Sequence, residues 1–208
     1  ISQTNWASAS TNSTSNPIST NYTYTYDALN RITHAMGANS NYNLELVTYD
    51  KNGNIQNLSR QGPTNVEATS FGVMDDLTYT YQGNQLMKVE DATAVSEGFN
   101  DGNTVGNDYA YDENGNLTQD LNKGIGTGGI VYNHLNLPIQ VTFASDKFIR
   151  YIYDATGIKL QKEVNDSGAI STTHYAGNYI YQNTGAGDQL QFFNTPEGYF
   201  DVTNSPPS

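Results

Sequence analysis

The sequence contains no cysteine. That absence excludes disulfides, thiolate nucleophiles and cysteine-ligated metals together. Basic residues are scarce too: 9 Lys and Arg stand against 21 Asp and Glu, a formal charge of −12. Such a balance repels a phosphate backbone or an anionic lipid surface. Nucleic acid is therefore not an expected partner. No stretch approaches the roughly 18 consecutive apolar residues of a spanning helix, so membrane insertion is not expected. Helical periodicity is weak: 64–76 and 90–100 come nearest, and loop is the better reading of both. The chain begins Ile1-Ser2-Gln3 with neither Met nor a signal segment. The expectation is an internal or processed part of a larger secreted protein.

Apolar residues make up 36% of the 208 and charged residues 14%. Asn, Thr, Ser, Gln, Gly and Tyr fill the gap. Without its aromatics this composition would lie close to disorder. With 16 Tyr, 7 Phe and 1 Trp it can form thin, partly wet β layers, in which each buried Tyr hydroxyl needs a partner.

Those tyrosines repeat. Tyr-x-Tyr occurs at Tyr22/Tyr24/Tyr26, Tyr79/Tyr81, Tyr109/Tyr111, Tyr151/Tyr153 and Tyr179/Tyr181. A spacing of two puts both rings on one face of a strand. Four units then read Tyr-Asp: Tyr26-Asp27-Ala28-Leu29-Asn30, Tyr49-Asp50-Lys51-Asn52-Gly53, Tyr111-Asp112-Glu113-Asn114-Gly115 and Tyr153-Asp154-Ala155-Thr156-Gly157. Tyr132-Asn133-His134-Leu135-Asn136 swaps in asparagine twice, and Tyr81-Gln82-Gly83-Asn84 is shortened. The anchor tyrosines 26, 49, 81, 111, 132 and 153 are separated by 23, 32, 30, 21 and 21 residues. A unit of 21 with inserted loops fits these steps.

Asp or Asn opening the turn bonds back to the turn backbone, and Gly or Asn closing it takes a left-handed conformation. This is the signature of a type I turn ending in a G1 bulge. Apolar residues reopen the return strand at Ile32, Ile55 and Leu117, with Ile158 one place out of phase. Residues 1–21 read as a Ser/Thr/Asn-rich lead-in or edge strand, 22–200 as the repeat sheet, and 201–208 as a frayed tail. Residues 98–107 and 123–129 read as Gly-rich connectors.

Repeated in phase, these units resemble the Rhs, or YD-repeat, family. Tyr109-Ala110-Tyr111-Asp112-Glu113-Asn114-Gly115-Asn116-Leu117 and Arg150-Tyr151-Ile152-Tyr153-Asp154-Ala155-Thr156-Gly157 carry the resemblance. It covers roughly residues 22 to 200. The segment Leu190-Gln191-Phe192-Phe193-Asn194-Thr195-Pro196-Glu197-Gly198-Tyr199 looks like the stretch leading into the family's Rhs-associated core domain. The resemblance implies hairpins joined side by side into a spiral shell, bacterial and secreted or on the cell surface. Such shells enclose a C-terminal toxic domain or serve as adhesion scaffolds. The family's aspartate-based self-cleaving core is not carried over, because the sequence has no Asp-Pro-x-Gly segment. Six or seven hairpins are also too few to close a shell.

Other chemistry finds little support. Asp50-Lys51-Asn52-Gly53-Asn54 and Asp112-Glu113-Asn114-Gly115-Asn116 are superficially like calcium loops, but Gln61 and Lys123 stand where a bidentate Glu would be needed. His34, His134 and His174 lie in different repeats. No Gly-x-Ser-x-Gly elbow is present. Asp75-Asp76 and Glu90-Asp91 are adjacent pairs, which point opposite ways on a strand.

The expectation is an all-β, curved antiparallel sheet with a structural role: a shell segment that encapsulates or displays a toxin or adhesion domain. No enzymatic activity, metal or cofactor is expected. The residues it rests on are Tyr26, Asp27, Tyr49, Asp50, Gly53, Tyr111, Asp112, Gly115, Tyr132, Tyr153, Asp154 and Gly157. Expected partners are other repeats, a companion polypeptide and an enclosed toxin. The alternative is a carbohydrate- or surface-binding module with a glycan as partner, using aromatics outside the regular pattern such as Trp6 and Tyr22.

Overall fold

A computed structural model describes residues 1–8, 18–144 and 146–202. The side chain of Trp6 and the tail after residue 202 lie outside the described residues. Among the described residues the regular structure comprises seventeen strands and two short 3-10 turns. The chain divides into two compact units, Ile1–Asp108 and Tyr109–Ser208.

The first unit is one seven-stranded antiparallel sheet in sequence order. Its strands are β1 (Gln3–Ser8), β2 (Ile18–Tyr26), β3 (Ile32–Gly37), β4 (Leu44–Tyr49), β5 (Ile55–Pro63), β6 (Phe71–Gln82) and β7 (Gln85–Asp91). Tyr, Thr, Ile, Val and Leu dominate these runs, and they suit a pleated, half-buried surface. The register sets Tyr24 opposite Ala35, Val47 opposite Leu58, Leu58 opposite Leu77, and Tyr79 opposite Val89. Cross-strand partners share a face, so these residues line one side. Ala35, Val47, Met74, Leu77 and Val89 are buried. The opposite face is polar: the Thr48 hydroxyl donates to Asn57 Oδ1 at 3.1 Å, and Asn57 Nδ2 to the Thr78 hydroxyl at 3.3 Å.

The second unit holds a two-stranded sheet, β8 (Tyr109–Tyr111) and β9 (Leu117–Asp120), and an eight-stranded sheet in sequence order. The latter comprises β10 (Ile130–Tyr132), β11 (Pro138–Thr142), β12 (Phe148–Tyr153), β13 (Lys159–Asp166), β14 (Ala169–Ala176), β15 (Tyr179–Asn183), β16 (Gln189–Thr195) and β17 (Gly198–Asp201). Of the second unit's described apolar side chains only Ile125, before β10, and Ile180, in β15, are buried, while Ile152, Ile170, Tyr199 and Phe200 are at least half exposed. A single layer leaves both faces accessible. Aromatic pairs hold its last strands together: Tyr179 lies 5.6 Å from Phe193, and Phe193 5.4 Å from Phe200, between ring centres.

One segment departs from the sequence reading, and another takes one of its two alternatives. Residues 64–76 are not all loop, because β6 begins at Phe71. Gly72, Asp75 and Asp76 weaken the strand signal there, but Asp75 is paired with Arg60 across the ladder. Within 1–21 the edge-strand alternative holds: β1 is the first strand of its sheet and pairs with β2 from Gln3 opposite Thr23 to Ser8 opposite Ile18.

Candidate functional site

The candidate site is the row of turns and anchor tyrosines. Five turns share one geometry. In each, the opening side chain accepts two backbone N–H groups through one oxygen. Asp27 Oδ1 takes those of Leu29 and Arg31, Asp50 Oδ1 those of Asn52 and Asn54, and Asp112 Oδ1 those of Asn114 and Asn116. Asn133 Oδ1 takes those of Leu135 and Leu137, and Asp154 Oδ1 those of Thr156 and Ile158. The closing residues Asn30, Gly53, Gly115, Asn136 and Gly157 all have positive φ, between 57° and 93°. The ladder slips by one residue at Tyr26, Tyr49, Tyr111, Tyr132 and Tyr153. That slip is a bulge, which raises local twist.

Gly115 has φ +83°, with no atom within 4 Å of where a Cβ would stand. Only backbone strain opposes a side chain there. Gly115→Val is expected to lose about 1–3 kcal/mol, because a β-branched residue resists positive φ. An unchanged thermal midpoint would count against this turn geometry.

The turn carboxyls are held as anions. The pKa of Asp27 is lowered mainly by the Arg31 backbone N–H, and those of Asp50 and Asp112 by the side-chain amides of Asn54 and Asn116. Asp154 is lowered mainly by the Thr156 hydroxyl. A carboxyl with a depressed folded pKa contributes stability above its unfolded value and loses it as pH falls through the folded value. The Asp turns should therefore loosen below about pH 3.8, the ordinary value for these groups. The Asn133 turn has no such proton to gain. Amide hydrogen exchange at acid pH is expected to lose protection at Asn114 and Asn116 before Leu135 and Leu137; simultaneous loss would refute this.

The anchor tyrosines reach out of their own hairpins. The Tyr49 hydroxyl donates to the Ile32 carbonyl at 2.7 Å, Tyr132 to Leu117 at 2.8 Å and Tyr153 to Pro138 at 3.0 Å. Ile32, Leu117 and Pro138 each open the return strand of the preceding hairpin. Tyr26 makes the equivalent bond to the Ile1 carbonyl at 2.5 Å. Burial raises the pKa of both Tyr132 and Tyr153, in keeping with half-buried hydroxyls. Tyr132→Phe should cost the second unit about 0.5–1.5 kcal/mol, the net contribution of one hydrogen bond. Equal urea midpoints for the two chains would remove the bond from the account.

Neighbouring turns are also tied tip to tip. Asn52 Nδ2 and Asn54 Nδ2 both donate to Asn84 Oδ1, at 3.0 and 3.1 Å. Asn114 Nδ2 and Asn116 Nδ2 do the same to Asn136 Oδ1, at 3.2 and 3.0 Å. At the first turn Arg31 replaces this clasp, donating to the Asp50 carbonyl at 3.1 Å and lying 4.5 Å over the Tyr49 ring.

A third device lies at the outer edge of β7. Asp108 is fully buried and accepts the Val89 N–H at 2.8 Å through Oδ2 and Asn103 Nδ2 at 2.8 Å through Oδ1. Its own N–H donates to the Met87 carbonyl at 2.9 Å. Asp101 Oδ2 accepts the Asp91 N–H at 3.3 Å. Residues 92–108 thus occupy the hydrogen-bonding positions a further strand would use. Beneath them lies Asp75, 1% exposed, which accepts the Phe99 N–H at 2.5 Å and pairs with Arg60. This cap was invisible in the sequence, which reads there as a Gly-rich connector; that Gly98 packs against the Asp75 carboxyl and the Met74 carbonyl is seen only in the structure.

Among the described residues no group of three or more His, Asp or Glu side chains is placed to hold a metal ion. Both oxygens of Asp50 and of Asp112 are taken up inside their own turns. Asp75 is buried and Asp76 exposed, so this carboxylate pair does not converge. Tyr22 is half-buried and stacks on Tyr24 at 6.3 Å. No helix among the described residues is long and apolar enough to cross a membrane.

No family model matches the chain, and no curated protein matches it. Among solved structures, a chain of the crystal structure of TcdB2-TccC3-Cdc42 superposes with a TM-score of 0.51 at 14% identity. The match covers 85% of this chain and 11% of that one. The likeness is one of fold, and this chain spans about a ninth of that chain's length.

Proposed function

We propose that this chain is a structural segment of a bacterial Rhs/YD-repeat shell, secreted or on the cell surface, that encapsulates or displays a toxin or adhesion domain. The observation that carries the reading is the set of hydroxyls of Tyr49, Tyr132 and Tyr153, each bonded to the return strand of the hairpin before it. A binding module needs a few well-placed groups; a wall needs neighbouring units fastened to one another, and here one bond recurs in three hairpins. The turn-tip clasps repeat that logic at Asn84 and Asn136. The small share of the superposed chain that is covered fits a segment of a longer assembly. On this reading the chain does no chemistry of its own and its partners are further repeats or a companion polypeptide, with the enclosed domain as cargo.

The test is intact mass and size exclusion of the protein from its native source under non-denaturing conditions. Co-migration with a much larger polypeptide or with companion fragments is the expected result. A lone, folded monomer would overturn it in favour of a glycan-binding module built on the exposed rings of Tyr179, Tyr199 and Phe200.

A further inference from the structure

Two of the turns place glycine directly after asparagine, at Asn52-Gly53 and Asn114-Gly115. Both asparagines and both glycines are exposed. A side-chain amide followed by glycine is open to attack by the next backbone nitrogen, because no Cβ shields that nitrogen. In these turns two hydrogen bonds oppose the attack. The Gly53 and Gly115 N–H groups are directed into the turn, to the Asp50 carbonyl at 3.2 Å and the Asp112 carbonyl at 3.0 Å. The Asn52 and Asn114 amides are drawn away toward the neighbouring turn, to Asn84 and Asn136.

We propose that Asn52 and Asn114 are sites of spontaneous, water-driven conversion to aspartate and isoaspartate, and that the asparagine of the adjacent turn restrains the reaction. The glycine nitrogen loses its proton and bonds to the asparagine Cγ, and the Cγ–Nδ2 bond breaks with release of ammonia. Water then opens the cyclic imide at either carbonyl. Attack at one yields aspartate; attack at the other routes the main chain through the side chain and yields isoaspartate. Other turn asparagines supply internal controls. Asn30, Asn54, Asn116 and Asn136 are followed by Arg31, Ile55, Leu117 and Leu137, whose side chains obstruct the same attack. Conversion at Asn52 removes a donor and sets a carboxylate against Asn84 Oδ1, which still accepts from Asn54. Isoaspartate also lengthens the main chain by one atom just before the Gly53 N–H. Each event removes one of the two side-chain bonds between neighbouring turns and adds one negative charge.

The test incubates the full chain at mildly alkaline pH and follows each asparagine by peptide mapping with mass spectrometry that separates aspartate from isoaspartate. Asn52 and Asn114 should convert ahead of every other turn asparagine. Asn84→Ala should speed conversion at Asn52 by about two- to twelvefold, the factor set by one hydrogen bond, and leave Asn114 unchanged. Asn136→Ala should do the reverse. Should Asn84→Ala open the whole first unit, Asn30 would react faster too, and Asn84→Asp then decides, because it keeps the accepting oxygen. A parental rate at Asn52 in Asn84→Asp supports the restraint, and an accelerated rate overturns it. Conversion of Asn52 and Asn114 no faster than Asn30 overturns the proposal outright.

Discussion

Gly98→Ala is expected to destabilise the first unit by about 2–4.5 kcal/mol, the scale of one hydrogen bond to a charged group lost together with one neutral bond. A Cβ at Gly98 would meet the Asp75 carboxyl and stand 2.6 Å from the Met74 carbonyl oxygen. Neither atom can retreat. Met74 is in the middle of β6, and Asp75 is fixed by Arg60 and the Phe99 N–H. The loop must therefore lift, which removes the Phe99 N–H from Asp75 and disturbs the Thr93 hydroxyl bond to the Met74 carbonyl, 2.9 Å. A carboxyl 1% exposed would keep one of its two partners. Urea denaturation of the full chain reads the loss. A midpoint equal to the parent's would show that the loop does not bear on β6 as described.

Asp108→Ala should act on the edge and the stability together. It leaves the buried Val89 N–H without this acceptor, while the half-buried Asn103 amide keeps its bond to the Val105 carbonyl at 3.0 Å. A buried unsatisfied N–H costs about 1–3 kcal/mol, and that is the loss expected here. A freed β7 edge also presents backbone donors and acceptors to any passing strand. The expected result is a lowered urea midpoint accompanied by concentration-dependent association in light scattering. Lower stability without association would mean that Asp101 alone suffices to guard the edge. Neither change would mean that Asp108 is dispensable.

The turns were legible because their chemistry is local. Asp, two loosely specified residues and Gly or Asn determine a turn wherever they occur, and the five matching turns of the structure follow that rule down to the bulge at the anchor tyrosine. The tyrosine rows were legible as to face, since spacing of two fixes the face of a strand. What the hydroxyls bind was not legible, because Ile32, Leu117 and Pro138 are chosen by the register between hairpins and not by any residue type. The clasp at Asn84 and Asn136 was hidden for the same reason: an asparagine in a turn is explained by its own backbone before a neighbour is considered. The 30-residue step from Tyr81 to Tyr111 signalled an insertion. Its task as an edge cap depends on Asp101 and Asp108 mimicking strand carbonyls, and a carboxyl in that role leaves no periodic trace. Asp75 misled in the other direction, since a buried carboxyl inside a strand is tolerated here through Arg60, fifteen residues earlier, and the Phe99 N–H, twenty-four later.

The tyrosine bonds have a consequence for how the chain can fold. Each donor lies later in the sequence than its acceptor, by 25, 17, 15 and 15 residues for Tyr26, Tyr49, Tyr132 and Tyr153. A new hairpin thus needs only the one already completed before it. Contacts this local close small loops and form fast, and an N-terminal hairpin is available first while the chain is still being synthesised. The sheet can be laid down in the order in which its residues emerge, each hydroxyl finding a finished carbonyl to grip, with no strand waiting for a distant partner.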